Sequence, residues 1–90
     1  LDSVAYGLEL EPLLRQAAAY AYSYLGNRAD AEDAVQQAAL QAWSRIGQYD
    51  STRPFKGWWF AILRNCCFDI LRRRMSALTV ARCQIPPSLV

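Results

Sequence analysis

Apolar residues recur along this chain at steps of three and four, in three separate runs, with no competing strand-like alternation. In the first run Leu10, Leu14, Ala17, Ala21 and Tyr24 share one face, and the spacing predicts a helix over residues 11–25. Pro12 suits its opening turn, where the missing N–H costs nothing, and Gly26-Asn27 supplies a left-handed stop. The second run predicts a helix over residues 30–46 with Ala31, Val35, Ala38, Ala42 and Ile46 inward. Asp30 is its expected N-cap, Asp33 three positions on makes a variant capping box, and Gly47 ends it. Its many alanines imply close packing between helices. The third helix is expected to be capped by Thr52 or Arg53, to carry Pro54 at its first position and to run to about Met75. Phe55, Trp58, Trp59, Ile62, Leu63, Cys66 and Ile70 form its core face. The expected fold is all-α: a compact three-helix bundle over residues 1–76, with room for a short additional helical turn before Glu11. Residues 77–90, with Pro86-Pro87, read as the start of a linker.

Ninety residues make one domain. An apolar fraction of 53% with 20% charged residues is too apolar and too weakly charged for a disordered chain. Four Gly, four Pro and three Cys exclude collagen-like, low-complexity and disulfide-framework classes. A domain this short buries only roughly 60% of its unfolded surface, which argues against a spacious internal active site. The chain has no His, so the usual general base and the commonest metal ligand are both missing. Cys66 and Cys67 are adjacent and Cys83 stands apart, which is no zinc or redox spacing. No enzyme, metal or cofactor is expected. The thiol pattern fits a reducing cytosol, with the Cys66–Cys67 pair read as buried and inert rather than reactive. The apolar stretch near residues 58–63 is far too short for a membrane span, which takes about twenty residues. No signal peptide is visible, and the opening at Leu1 reads as a fragment or a processed chain.

Charge is unevenly spread. Residues 1–50 carry three arginines against seven carboxylates, a net of −4; residues 51–90 carry seven bases against Asp69 alone, a net of +6. The basic end suits a polyanion, although two solvated faces would look the same.

Two stripes lie off the core faces. On the second helix Asp33, Gln36, Gln37, Leu40 and Ser44 form a polar ridge with a lone leucine, either a docking face for a partner helix or an ordinary solvated face. On the third, Phe60, Arg64, Phe68 and Arg72 form an i, i+4 ladder of rings and bases. Single-stranded nucleic acid can stack on such rings while arginines neutralise phosphates. Alternatively, the two rings pack against the first helix or the tail. Gly57 and Ala61 leave room for a backbone to come close.

Asp30-Ala31-Glu32-Asp33-Ala34-Val35-Gln36, then Ala42-Trp43, Tyr49-Asp50, Pro54-Phe55-Lys56-Gly57-Trp58, Arg64-Asn65, Asp69 and Arg72-Arg73 closely resemble region 2 of bacterial extracytoplasmic-function (ECF) sigma factors. The match covers about residues 10–74 in order, spacing and residue type. The resemblance implies a domain that binds the clamp helices of the RNA polymerase β′ subunit, recognises the −10 promoter element and captures a flipped base of the non-template strand. It carries the polymerase contact to Asp33 and Gln36, with Gln37 and Leu40 on the same ridge; Gln37 stands where glutamate is usual, keeping hydrogen bonds and losing charge. It assigns the base pocket to the loop Tyr49, Asp50, Ser51, Thr52 and Arg53, and the DNA face to Arg64, Asn65, Arg72 and Arg73, with Lys56, Phe60 and Phe68 alongside. Trp58 matches the family tryptophan, and Trp59 replaces the leucine that commonly follows. The Trp-Trp pair looks like that of primary sigma factors, where such rings help open the duplex; the helical wheel puts both inward, so Trp59 reads mainly as packing with a wedge role as the alternative.

Base flipping costs a few kcal/mol, least in A·T-rich steps, so a basic helix beside a base-holding loop fits the implied role. Catalysis would then belong to the polymerase, in the cytoplasm, and a −35-reading helix-turn-helix domain would follow the linker. The competing reading is a protein-interaction module, held by an anti-sigma factor or descended from a promoter binder without retaining DNA binding. A membrane-surface helix is disfavoured because the third helix needs its apolar face for the core.

Overall fold

The computed structural model describes residues 2–83, and among them all regular structure is helical. Helix α1 spans Ser3–Leu10, α2 Leu14–Leu25, α3 Arg28–Ser44 and α4 Phe55–Cys83. The expected all-α bundle is present, and the anticipated extra turn is a helix of 8 residues, capped by Asp2, whose carboxylate accepts from the Ala5 N–H at 2.8 Å. Pro12 has no N–H for the α-helical ladder, and residues Glu11–Leu13 tighten into a 3₁₀ turn between α1 and α2. Leu10, Ala17, Ala21 and Leu25 are buried, whereas Leu14 and Tyr24, expected inward, are exposed.

Gly26 takes φ +73, the left-handed stop anticipated from sequence, and its N–H bonds the Tyr22 carbonyl at 2.8 Å. The N-cap of α3 is Asn27 rather than Asp30. Its backbone is extended and its Oδ1 accepts from the Asp30 N–H at 2.7 Å. Asp30 sits in the first turn and accepts from Asn27 Nδ2 at 3.0 Å, so the reciprocal capping contact forms one turn earlier than expected. Arg45 leaves helical geometry, ending α3 short of Ile46, which lies in a 3₁₀ turn over Ile46–Gln48. Helix α4 passes Met75 and continues to Cys83, where a linker was anticipated, since no proline or glycine interrupts residues 76–83. Pro86-Pro87 lies outside the described residues.

Four α3 residues, Ala31, Ala34, Ala38 and Ala42, face Ala17 and Ala21 of α2 within one core, so the backbones approach closely. The bulk comes from α4, which inserts Phe55, Trp59, Ile62, Leu63, Cys66, Cys67 and Ile70. Both cysteines are fully buried and burial pushes their thiols up, which keeps them protonated. Tyr6 ties α1 into this core: its hydroxyl donates to the Ala39 carbonyl at 2.8 Å and accepts from Trp59 Nε1 at 3.1 Å. At the other end Arg74 of α4 donates to the Leu25 carbonyl at the end of α2 (3.0 Å) and pairs with Asp30 of α3. No helix of the described residues is long and apolar enough to cross a membrane.

Candidate functional site

The inward alanines of α3 leave its outer stripe free. Asp33, Gln36, Leu40 and Ser44 are exposed, Gln37 is half-buried, and Leu40 stands 72% exposed, far beyond what core packing requires of a leucine. Asp30 borders this ridge at the N-terminal end of α3. Arg74, and then Asn27, hold its carboxyl below the ordinary carboxylate value.

The loop 49–53 is tightly folded. Asp50 Oδ1 accepts from both the N–H and the hydroxyl of Thr52, at 2.9 and 2.7 Å, and these bonds hold its carboxyl below the ordinary value. The Arg53 N–H returns to the Asp50 carbonyl at 3.0 Å, and the Tyr49 hydroxyl donates to the Arg53 carbonyl at 2.7 Å. The Tyr49 ring packs on Trp58 at 4.9 Å and edge-on to Phe55 at 5.7 Å, anchoring the loop to the first turn of α4. Ser51, Thr52 and Arg53 are exposed at the tip.

Beside the loop, Arg53, Pro54, Gly57, Trp58 and Ala61 line an open cavity of about 400 Å³. A second, of about 220 Å³, is lined by Tyr20, Gly57, Phe60, Ala61 and Arg64. Gly57 and Ala61 border both, so the small residues form a low saddle between two aromatic walls. A side chain at Gly57 would project into open space. Lys56, Arg64 and Asn65 are exposed on α4, with the Lys56 ammonium 6.0 Å from the Phe60 ring centre. Arg72 is exposed and paired with Asp69.

Three residues assigned to this face sit differently from a free DNA-contacting surface. Phe60 packs edge-on against Tyr20 at 5.3 Å and Phe68 against Tyr24 at 5.4 Å, so both rings are held by α2 as packing partners. Phe68 retains a partly exposed edge. Trp59 is fully buried with its Nε1 bonded to Tyr6, in keeping with its reading as packing; its alternative wedge role at the DNA surface is corrected, because a ring so enclosed offers no wedge to a duplex. Of the adjacent pair, Trp58, half-buried and at the cavity edge, is the one that meets solvent. Arg73 lies elsewhere, in a cavity of about 330 Å³ with Asp30, Asp33, Ile70, Arg74 and Ala77.

Tyr20 and Tyr24 were not singled out as site residues from sequence. Their hydroxyls lie 3.4 Å apart, and the contact pushes the Tyr20 phenol up to about 12, so it is uncharged near neutrality. The two tyrosines, four residues apart, meet rings eight residues apart on α4, Phe60 and Phe68.

A family model for Sigma-70 region 2 matches residues 10–77. The chain belongs to the sigma-70 region 2 family. The matched residues of this sigma-type domain take in α2, α3, the loop and most of α4, and leave out all of α1 but Leu10. The chain is 38% identical over 73 residues to a probable RNA polymerase sigma factor of Haemophilus influenzae, covering 80% of this chain and 37% of that protein. It is 36% identical over 53 residues to the ECF RNA polymerase sigma factor SigW of Bacillus subtilis, covering 59% and 28%. With the ECF RNA polymerase sigma factor SigG of Mycobacterium tuberculosis it shares 30% over 86 residues, covering 92% and 23%. The sigma domain thus spans well under half the length of the curated relatives it matches. No solved structure matches it.

Proposed function

We propose that this chain is the polymerase-binding and promoter-opening domain of an ECF-type sigma factor, directing transcription initiation. The observation that carries the reading is the separation of two exposed surfaces on one rigid bundle. The ridge Asp33, Gln36, Gln37 and Leu40 projects from α3, while Lys56, Arg64, Asn65 and Arg72 are exposed along the solvent side of α4, which the loop precedes. The ridge docks on the clamp helices of the β′ subunit. The basic flank carries the sugar–phosphate backbone of the non-template strand, and an unstacked −10 base enters the cavity between the loop, Trp58 and the Gly57–Ala61 saddle. Phosphate contacts set the register, and polar groups of the loop and Asn65 read base edges.

Two binding measurements test this. Capture of the domain by an isolated β′ clamp-helix fragment weakens on Asp33→Ala and on Gln36→Ala. Affinity for a single-stranded −10 oligonucleotide falls on Arg64→Ala and Asn65→Ala. With about four phosphates neutralised, log K falls with log salt at a slope of roughly −3 to −4. Equal affinities for wild type and both α4 variants refute the DNA face. Fragment binding indifferent to Asp33 and Gln36 refutes the docking ridge. Retained protein capture without any DNA binding would favour an interaction module held by an anti-sigma factor.

A further inference from the structure

Arg72, Arg73 and Arg74 are adjacent in sequence, and the bundle sends them to three different surroundings. Arg72 remains on the α4 flank, paired with Asp69. Arg74 is bound to the Leu25 carbonyl and to Asp30, closing the junction of α2, α3 and α4. Arg73 is exposed and has no hydrogen bond or ion pair among the described residues. At about 100° per residue, Arg72 lies about 80° around α4 from Arg64, whereas Arg73 lies about 180° away. Arg73 is thus opposite Arg64 but only about 80° from Asn65, so it stands at the border of the Arg64–Asn65 face rather than within it.

What Arg73 does share is the cavity at the start of α3. Its acidic rim is Asp30 and Asp33, its basic rim Arg73 and Arg74, and its floor Ile70 and Ala77. Asp30 and Arg74 are engaged with each other, which leaves Asp33 and Arg73 as the charges that face outward, one of each sign. Asp33 is also the first residue of the α3 ridge, so this cavity continues the ridge onto α4.

We propose that Arg73 belongs to the polymerase-docking surface, pairing with an acidic side chain of the clamp helix, and takes no part in holding DNA. The inference rests on the docking role proposed for the α3 ridge. The charge pattern commits the occupant: a helix with an acid opposite Arg73, a basic or amide group opposite Asp33, and an apolar side chain for the Ile70–Ala77 floor. Opposed pairs of this kind fix register and suppress wrong partners, so Arg73 acts as a specificity residue for the polymerase contact.

The test measures two affinities on the same variants, the β′ clamp-helix fragment and the single-stranded −10 oligonucleotide. Arg73→Glu is expected to weaken fragment binding about tenfold or more, and Arg73→Ala less, as for a truncated interfacial charge. Both should leave oligonucleotide affinity and its salt slope unchanged. Far-ultraviolet circular dichroism checks that the exposed substitutions leave the fold intact. If wild type and Arg73→Glu bind the fragment equally while Asp33→Ala binds weakly, this inference fails and the docking reading stands. If wild type itself does not bind the fragment, the docking reading fails and takes this inference with it. A drop in oligonucleotide affinity with a salt slope shallower by about 1 places Arg73 on phosphate and overturns the proposal.

Discussion

Replacing Tyr6 by phenylalanine removes one oxygen from the centre of the molecule. That oxygen accepts from Trp59 Nε1 at 3.1 Å and donates to the Ala39 carbonyl at 2.8 Å, joining α4, α1 and α3. The carbonyl lies inside α3 and has a helical donor as well, so its loss is small. The indole N–H has no such alternative: Trp59 is fully buried, and water does not reach it. A buried donor left unpaired costs about 1–3 kcal/mol, and the ring contacts of residue 6 with Trp43 and Phe55 are kept. We therefore expect Tyr6→Phe to destabilise the domain by about 2 kcal/mol. For a domain of this size each kcal/mol lowers the midpoint by about 4–8 °C, giving a fall of about 8–16 °C by circular dichroism. In a Trp59→Phe background the same substitution should cost much less, because the orphaned donor is gone. A midpoint within about 2 °C of wild type, or equal costs in the two backgrounds, refutes the reasoning and makes α1 an appendage rather than part of the core.

Gly26→Ala should destabilise by about 1 kcal/mol in chemical denaturation, since the strain lies in the positive φ rather than in any clash, and the site has open space around it. Asp30 has a folded-state pKa below its usual value, so its pairing with Arg74 adds stability above the unfolded-state value that is lost as pH falls through the folded one. Asp30→Asn should accordingly shrink the fall in melting temperature between about pH 5 and about pH 2, and an unchanged acid limb would count against the Arg74 tie. Cys66 and Cys67 should resist a thiol reagent in the native state and react on unfolding; rapid native-state labelling of either would contradict their burial.

Much of the bundle is legible from local pattern. The Gly26 stop, the alanine face of α3 and the large apolar face of α4 follow from spacing and residue size. Boundaries were less so. Asn27 and Asp30 are both good caps, and the choice between them depends on the angle at which the chain leaves Gly26. Leu14 and Tyr24 continue the helical period, but Leu14 is the first residue of α2 and stays exposed, and Tyr24 turns its ring onto Phe68 at the surface. At the candidate site, the exposed stripe of α3 and the basic flank of α4 were visible from sequence, because they are the faces left after the core is assigned. The fate of individual rings was not.

Sequence by itself determined that this chain is helical and which residue types face inward. A helical wheel gives each side chain an azimuth, and that alone separates Arg64 from Arg73. It does not say which neighbour fills the sector at that azimuth, because the neighbour comes from far along the chain. Trp59 finds its partner 53 residues away in Tyr6, and Arg74 finds the Leu25 carbonyl 49 residues away. Tyr20 and Tyr24 reach Phe60 and Phe68 across the α2–α4 seam. Tertiary structure decided that Trp59 is core and Trp58 is rim, and that three consecutive arginines have three different surroundings.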